Sequence, residues 1–116
     1  MKIIDKITIT ELYELSKKLN GMVKMVIDIK KNIIMIDAPM HADMATYLTQ
    51  NGSEFNDLWG IRIFPNASGN EYSIKFISMI NDKSTLNNSQ YIKDKNIKNI
   101  ILDILKAAII NAESLI

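Results

Sequence analysis

His41 is the single histidine of the 116-residue chain, and two carboxylates lie near it, Asp43 two positions on and Asp57 at the start of the next apolar run. A carboxylate beside an imidazole orients the ring and stabilises its protonated form, the usual arrangement for general acid–base work. His41 with Asp43 or Asp57 is therefore the candidate catalytic set. Ser53, Ser78 and Ser84 supply hydroxyls for nucleophilic chemistry, yet there is no G-x-S-x-G elbow to expose one. They fall instead in turns, where a hydroxyl serves the backbone.

The same imidazole and two carboxylates have the donor types of a hard or borderline cation. The chain has no second histidine, no cysteine, no H-E-x-x-H and no EF-hand loop. The simpler reading is that His41 and Asp43 open a helix, where the macrodipole favours Asp43. No metal and no other cofactor is expected. A third chemistry is anion binding, because free N–H groups at a helix start attract carboxylates and phosphates. His41, Arg62 and Lys83 would add charge, against the plainer reading of a helix start satisfied by its own residues or water; Asn81, Lys83 and Arg62 are the candidate binding residues and a small anionic ligand the candidate partner. The four glycines are isolated and form no phosphate loop.

The elements that must position these residues follow from periodicity. Residues 2–7 read as a short strand. Thr8-Ile9-Thr10-Glu11 is a capping box, and Leu12, Leu15 and Leu19 then recur on one helical face up to the stop at Asn20-Gly21. Residues 22–30 alternate, with Val23, Met25, Ile27 and Ile29 on one side. A turn at Lys31-Asn32 and an apolar return over 33–37 complete a hairpin. After Pro39, residues 40–50 fit a helix with Met40, Met44, Tyr47 and Leu48 inward. Residues 57–65 and 71–80 form a second hairpin, turning at 66–70. Trp59, Ile61 and Ile63 share a face of its first strand, which makes Trp59 a core residue. Residues 81–91 are an aperiodic loop. Residues 94–114 read as a helix whose apolar arc exceeds the stripe of about 100° expected of a surface helix.

These elements predict an α+β domain of order β-α-β-β-α-β-β-α, spanning 1–116. Its mostly antiparallel sheet has about five strands, with the three helices on one face. The second face would carry Lys24, Asp28, Arg62 and Lys75 among Val26 and Ile77, and would be partly wet.

The residues in view resemble a family of small bacterial and archaeal proteins known only as a domain of unknown function. The resemblance rests on Met22-Val23-Lys24, His41-Ala42-Asp43, Asn51-Gly52-Ser53, Asp57-Leu58-Trp59-Gly60-Ile61 and Ser78-Met79-Ile80-Asn81, and covers most of the chain. The family pattern continues with an Asn-Ile-Arg-Pro run and then an Asn-Arg-Ser run. Here the chain reads Asn81-Asp82-Lys83-Ser84 and Asn87-Asn88-Ser89, leaving Lys83 as the substitute for the arginine. A lysine does not reproduce a bidentate guanidinium contact. The resemblance implies the fold and no activity.

Bulk properties narrow the classes. Hydrophobic residues make up 47% of the chain, enough for a core without staples. A net charge of +1 argues against a dedicated nucleic-acid binder, which usually carries a basic excess. The absence of cysteine removes disulfides, thiolate catalysis and Cys-ligated metals. Asp5 and Thr8 interrupt any signal-like apolar run, and no stretch approaches the roughly 20 residues that span a bilayer. The expectation is a cytoplasmic binding or interaction module with a polar pocket near His41, Asp43, Asp57 and Asn81. The wide arc of the last helix adds a homodimer through it as an expectation. The competing reading is a small enzyme using His41 with Asp43 or Asp57 in acid–base or metal-assisted chemistry.

Overall fold

The computed structural model describes residues 1–66, 71–77 and 94–110. In chain order it contains β1 (Lys2–Ile4), β2 (Ile7–Thr8), α1 (Ile9–Ser16), β3 (Val23–Asp28), β4 (Ile33–Ile36), α2 (His41–Gln50), β5 (Leu58–Pro65), β6 (Tyr72–Ile77), α3 (Lys95–Ala108) and β7 (Ile109–Ile110). The fold is α+β, as the periodicity predicts. The main sheet is antiparallel in the order β1-β4-β3-β5-β6, and β2 pairs in parallel with β7.

The alternation of β3 and β5 builds the first core. Val23, Met25 and Ile27 lie opposite Ile63, Ile61 and Trp59. On this face Ile9 and Leu12 of α1 and Ile101, Leu105 and Ala108 of α3 complete the buried cluster, with Trp59 partly buried against it. The helix starts are secured locally. Thr8 Oγ1 accepts from Glu11 N at 3.0 Å and Glu11 Oε1 accepts from Thr8 N at 3.3 Å, closing the capping box. Asp94 caps α3 through Asn96 N and Ile97 N. At the other end of α1 a 3-10 turn over Lys17–Leu19 leads to Asn20 in the left-handed region, φ 55°.

The second face differs from the expectation of a partly wet surface with all helices opposite. Met44, Ala45 and Leu48 of α2 pack onto Val26, Met35 and Leu58 in a separate buried cluster that also includes Ala38. Successive strand residues point to opposite faces, so α2 lies on the side of the sheet away from α1 and α3. The architecture is three layers. Alternation alone made Val26 look like an isolated apolar residue among charges. The register instead sets it beside Met35 and Gly60, which makes an apolar strip wide enough to seat a helix.

Smaller differences have local causes. The strand expected over 2–7 breaks at the exposed Asp5 and Lys6. The last helix stops at Ala108, because Ile109 leaves it to pair with Ile7. Tyr47 and Met40, expected in the core, are 40% and 57% exposed, since α2 presents His41, Met44, Ala45 and Leu48 to the sheet. Residues 78–80 of the expected strand, the 81–91 loop, and the expected helix beyond residue 110 lie outside the described residues.

Burying a large apolar side chain contributes ~1.5–3 kcal/mol, so Met44 and Leu48 hold α2 firmly on the sheet. Met44→Ala should cost about 2–5 kcal/mol of unfolding free energy, whereas Tyr47→Ala should change it by less than ~0.5 kcal/mol. Urea denaturation of the two variants checks which face of α2 is buried.

Candidate functional site

α2 begins with a residue pair of opposite character, exposed Met40 at the N-cap and buried His41 at the first helical position. Met40 offers no side-chain cap, unlike Thr8 and Asp94 in the other two helices. His41 turns down onto the sheet, and its Nε2 lies 2.8 Å from the carbonyl oxygen of Ile61. A carbonyl only accepts, so Nε2 carries the proton and Nδ1 is the unprotonated nitrogen of the neutral ring. Gly60 lies opposite Val26, so a side chain there would point toward α2.

The electrostatics around His41 are positive. Its pKa is lowered below the ordinary 6.5, first by burial; the Ile61 hydrogen bond opposes this, and the charges of Lys24 and Arg62 lower it further. These two cations are register partners on adjacent strands, and Arg62 in turn lies opposite Lys75 on β6. Lys24, Arg62 and Lys75 therefore form one row across β3, β5 and β6 on the face that α2 covers, beside the start of that helix. Lys24 Nζ donates to the carbonyl of Pro39 at 2.6 Å, which ties the row to the segment leading into α2. Arg62 is half-buried, and its Nε is fully enclosed with no hydrogen-bond partner among the described residues.

Carboxylates are placed elsewhere. Asp28, on the same face of β3, is fully buried at the far end, where it accepts from Lys30 N, Lys31 N and Ser53 Oγ at 3.0, 2.9 and 2.7 Å. It holds the β3–β4 turn and is saturated. Asp43 is exposed and lines an open cleft with Met1, Asp37, Pro39 and Tyr47. Asp57 closes a 3-10 turn before β5, and its carbonyl accepts from Ile29 N. It stands four residues before Ile61, roughly 13 Å along an extended strand. No hydrogen bond joins His41 to Asp43 or Asp57 among the described residues. Of the sequence-derived candidates, the structure brings together His41 and Arg62. Asn81 and Lys83 lie outside the described residues. No group of three or more His, Cys, Asp or Glu suited to a metal occurs among those described.

Sequence reasoning placed Lys24 and Lys75 on the second face without selecting them as site residues. The signal that could have singled them out is the pairing of two hairpins, which sets Lys24, Arg62 and Lys75 level only once the register is known. Asp28, now seen bonded to the buried Ser53, carried no motif.

A scan against protein-family models matches residues 1–108 to a protein of unknown function, DUF5674. The chain belongs to the DUF5674 family. The match runs from β1 to the end of α3, so the family region contains both cores apart from Ile109, the cation row and His41. No curated protein and no solved structure matches the chain. No helix among the described residues is long and apolar enough to cross a membrane.

Burial of His41 couples this site to stability. With the folded pKa below the unfolded 6.5, the unfolded chain binds the proton more readily. The contribution is present above pH 6.5 and is lost as pH falls through the lower folded value. Urea midpoints should drop between pH 7 and pH 5, and His41→Gln should flatten that part of the profile.

Proposed function

We propose that this protein is a small binding module for an anionic ligand, held where the start of α2 meets the Lys24–Arg62–Lys75 row. The observation that carries this reading is the row itself. Like charges directly opposite one another across antiparallel strands destabilise a sheet, and here three stand level on one face. The acid beside Lys24 on that face of β3, Asp28, is committed to the far turn. A bound anion would offset the repulsion, accept from the guanidinium of Arg62 and from the spare N–H groups of Lys24, and lie near the α2 macrodipole. His41 serves this site as a neutral anchor that fixes the helix start over β5. A cytoplasmic setting suits a chain without cysteine.

Isothermal titration with inorganic phosphate at low salt tests the reading. Wild type should release or absorb heat with saturation, and Arg62→Gln should weaken binding by about tenfold or more. Without ligand the same substitution should leave stability unchanged or raise it by ~0.2–1 kcal/mol, since it removes a like-charge contact. Absence of phosphate binding by wild type would overturn the reading.

A second copy of the chain against α3 is a further reading, favoured by Ile100, which is 40% exposed on a helix whose Ile101 and Leu105 are fully buried. Sedimentation at tens of micromolar should then give a dimer mass and Ile100→Lys a monomer mass. A wild-type monomer would remove this reading.

A further inference from the structure

We infer that a second site, at the end of α1, takes a small apolar carboxylate: a single ring or a branched chain that carries one anionic group. This goes beyond the anion-binding reading, with which it shares Lys24.

The last turn of α1 and the segment leaving β4 enclose a cavity of about 140 Å³. Leu15, Leu19, Met22 and Val23 line it, and Ala38 and Pro39 complete the apolar wall. An apolar cavity of about 150 Å³ admits one benzene ring, so the volume suits a ring or a branched chain and is too small for a long tail.

Backbone conformation holds this space open. Asn20 and Gly21, at φ 55° and 91°, turn the chain from α1 toward β3. Asp37 has φ 68°, a conformation that few side-chain-bearing residues adopt, and it redirects the chain from β4 into Ala38 and Pro39. Two bonds then pin that segment. Lys18 Nζ donates to Asp37 Oδ1 at 3.1 Å, and Lys24 Nζ donates to the Pro39 carbonyl at 2.6 Å. A wall fixed in this way resists closing on the space, so an occupant meets a preformed apolar surface.

Charge at the rim selects the ligand. The ionised side chains lining the cavity are Lys18, Lys24 and Asp37, two cations and one acid, an excess that matches a monoanion. Lys18 is exposed and Asp37 is half-buried, which places their ion pair toward solvent. An ammonium has three donors, so Lys18 beside Asp37 and Lys24 beside Pro39 each retain an N–H for a carboxylate. The carbonyls of Ser16 and Leu19, which would repel an anion at this helix end, are taken by Gly21 N and Met22 N at 2.9 and 3.3 Å.

An NMR titration with benzoate, acetate, benzyl alcohol and benzylamine, following the methyl signals of Leu15, Leu19, Met22 and Val23, tests the site. Wild type should bind benzoate about tenfold or more tightly than acetate, which lacks the ring, and about fivefold more tightly than benzyl alcohol, which lacks the charge. Lys18→Gln, at an exposed position, should cut the fivefold ratio to about twofold or less. Leu19→Trp, which fills the cavity from a half-buried position, should abolish binding of both ring compounds while a dispersed spectrum confirms the fold. Equal affinity for benzoate and acetate, a preference for benzylamine, or an unchanged ratio in Lys18→Gln would overturn the inference. Benzoate shifts centred on Arg62 instead of the four methyl-bearing residues would also overturn it and assign the acid to the site proposed above. Failure of benzoate to bind would remove this second site and leave the phosphate titration to decide the first.

Discussion

The antiparallel register between β3 and β5 is the constraint from which most of this structure follows. Val23, Met25 and Ile27 meet Ile63, Ile61 and Trp59 on one face, while Lys24, Val26 and Asp28 meet Arg62, Gly60 and Leu58 on the other. A slip of one residue would exchange the two sets. It would put Lys24 and Asp28 into the core shared by α1 and α3, and Met25 and Ile27 beneath α2. Because both faces of β3 are covered, both sets are specified, and the register has no low-energy alternative. Burial along β3 reflects this: only Lys24 is less than fully buried.

The same register has a cost on the α2 side. Setting the two apolar faces correctly brings Lys24 level with Arg62, and the β5–β6 pairing adds Lys75. Two buried clusters, one on each side of the sheet, provide the stability against which a row of like charges can persist. Local rules broken without a local reason tend to mark functional positions. Here the unfavourable charge pairing, the helix start without a side-chain cap and the enclosed Arg62 Nε fall at one place. His41 links them, since its hydrogen bond to the Ile61 carbonyl fixes the first turn of α2 beside the cations.

The buried Asp28 shows how a motif-free residue can be decisive. Its carboxylate satisfies the two amides of the β3–β4 turn and the hydroxyl of Ser53. Lys31 Nζ donates to the carbonyl of Gly52 nearby. These bonds tie the first hairpin to the segment that follows α2, so the helix is held to the sheet at both ends, by His41 at its start and by this cluster after its finish. The proposed anion site would therefore lie on a rigid frame, which favours a ligand whose shape is read by fixed donors.

Much of the fold was legible from residue types. The capping box at Thr8 and Glu11, the alternation of β3 and β5, the break at Pro39 and the core position of Trp59 all arise from short-range sterics and burial preference, which act within a few residues. The placement of α2 was not legible. Its apolar side is modest, and which sheet face it covers depends on Met35 and Leu58, brought beside Val26 only by pairing between distant strands. For the site, sequence alone singled out His41 and Arg62, because an unusual residue type is visible by itself. That His41 would bond a carbonyl rather than Asp43 or Asp57, and that Lys24 and Lys75 would flank Arg62, was decided by tertiary structure. The physical reason is that strand pairing sets which side chains are neighbours, and period-two alternation tells only which way each one points.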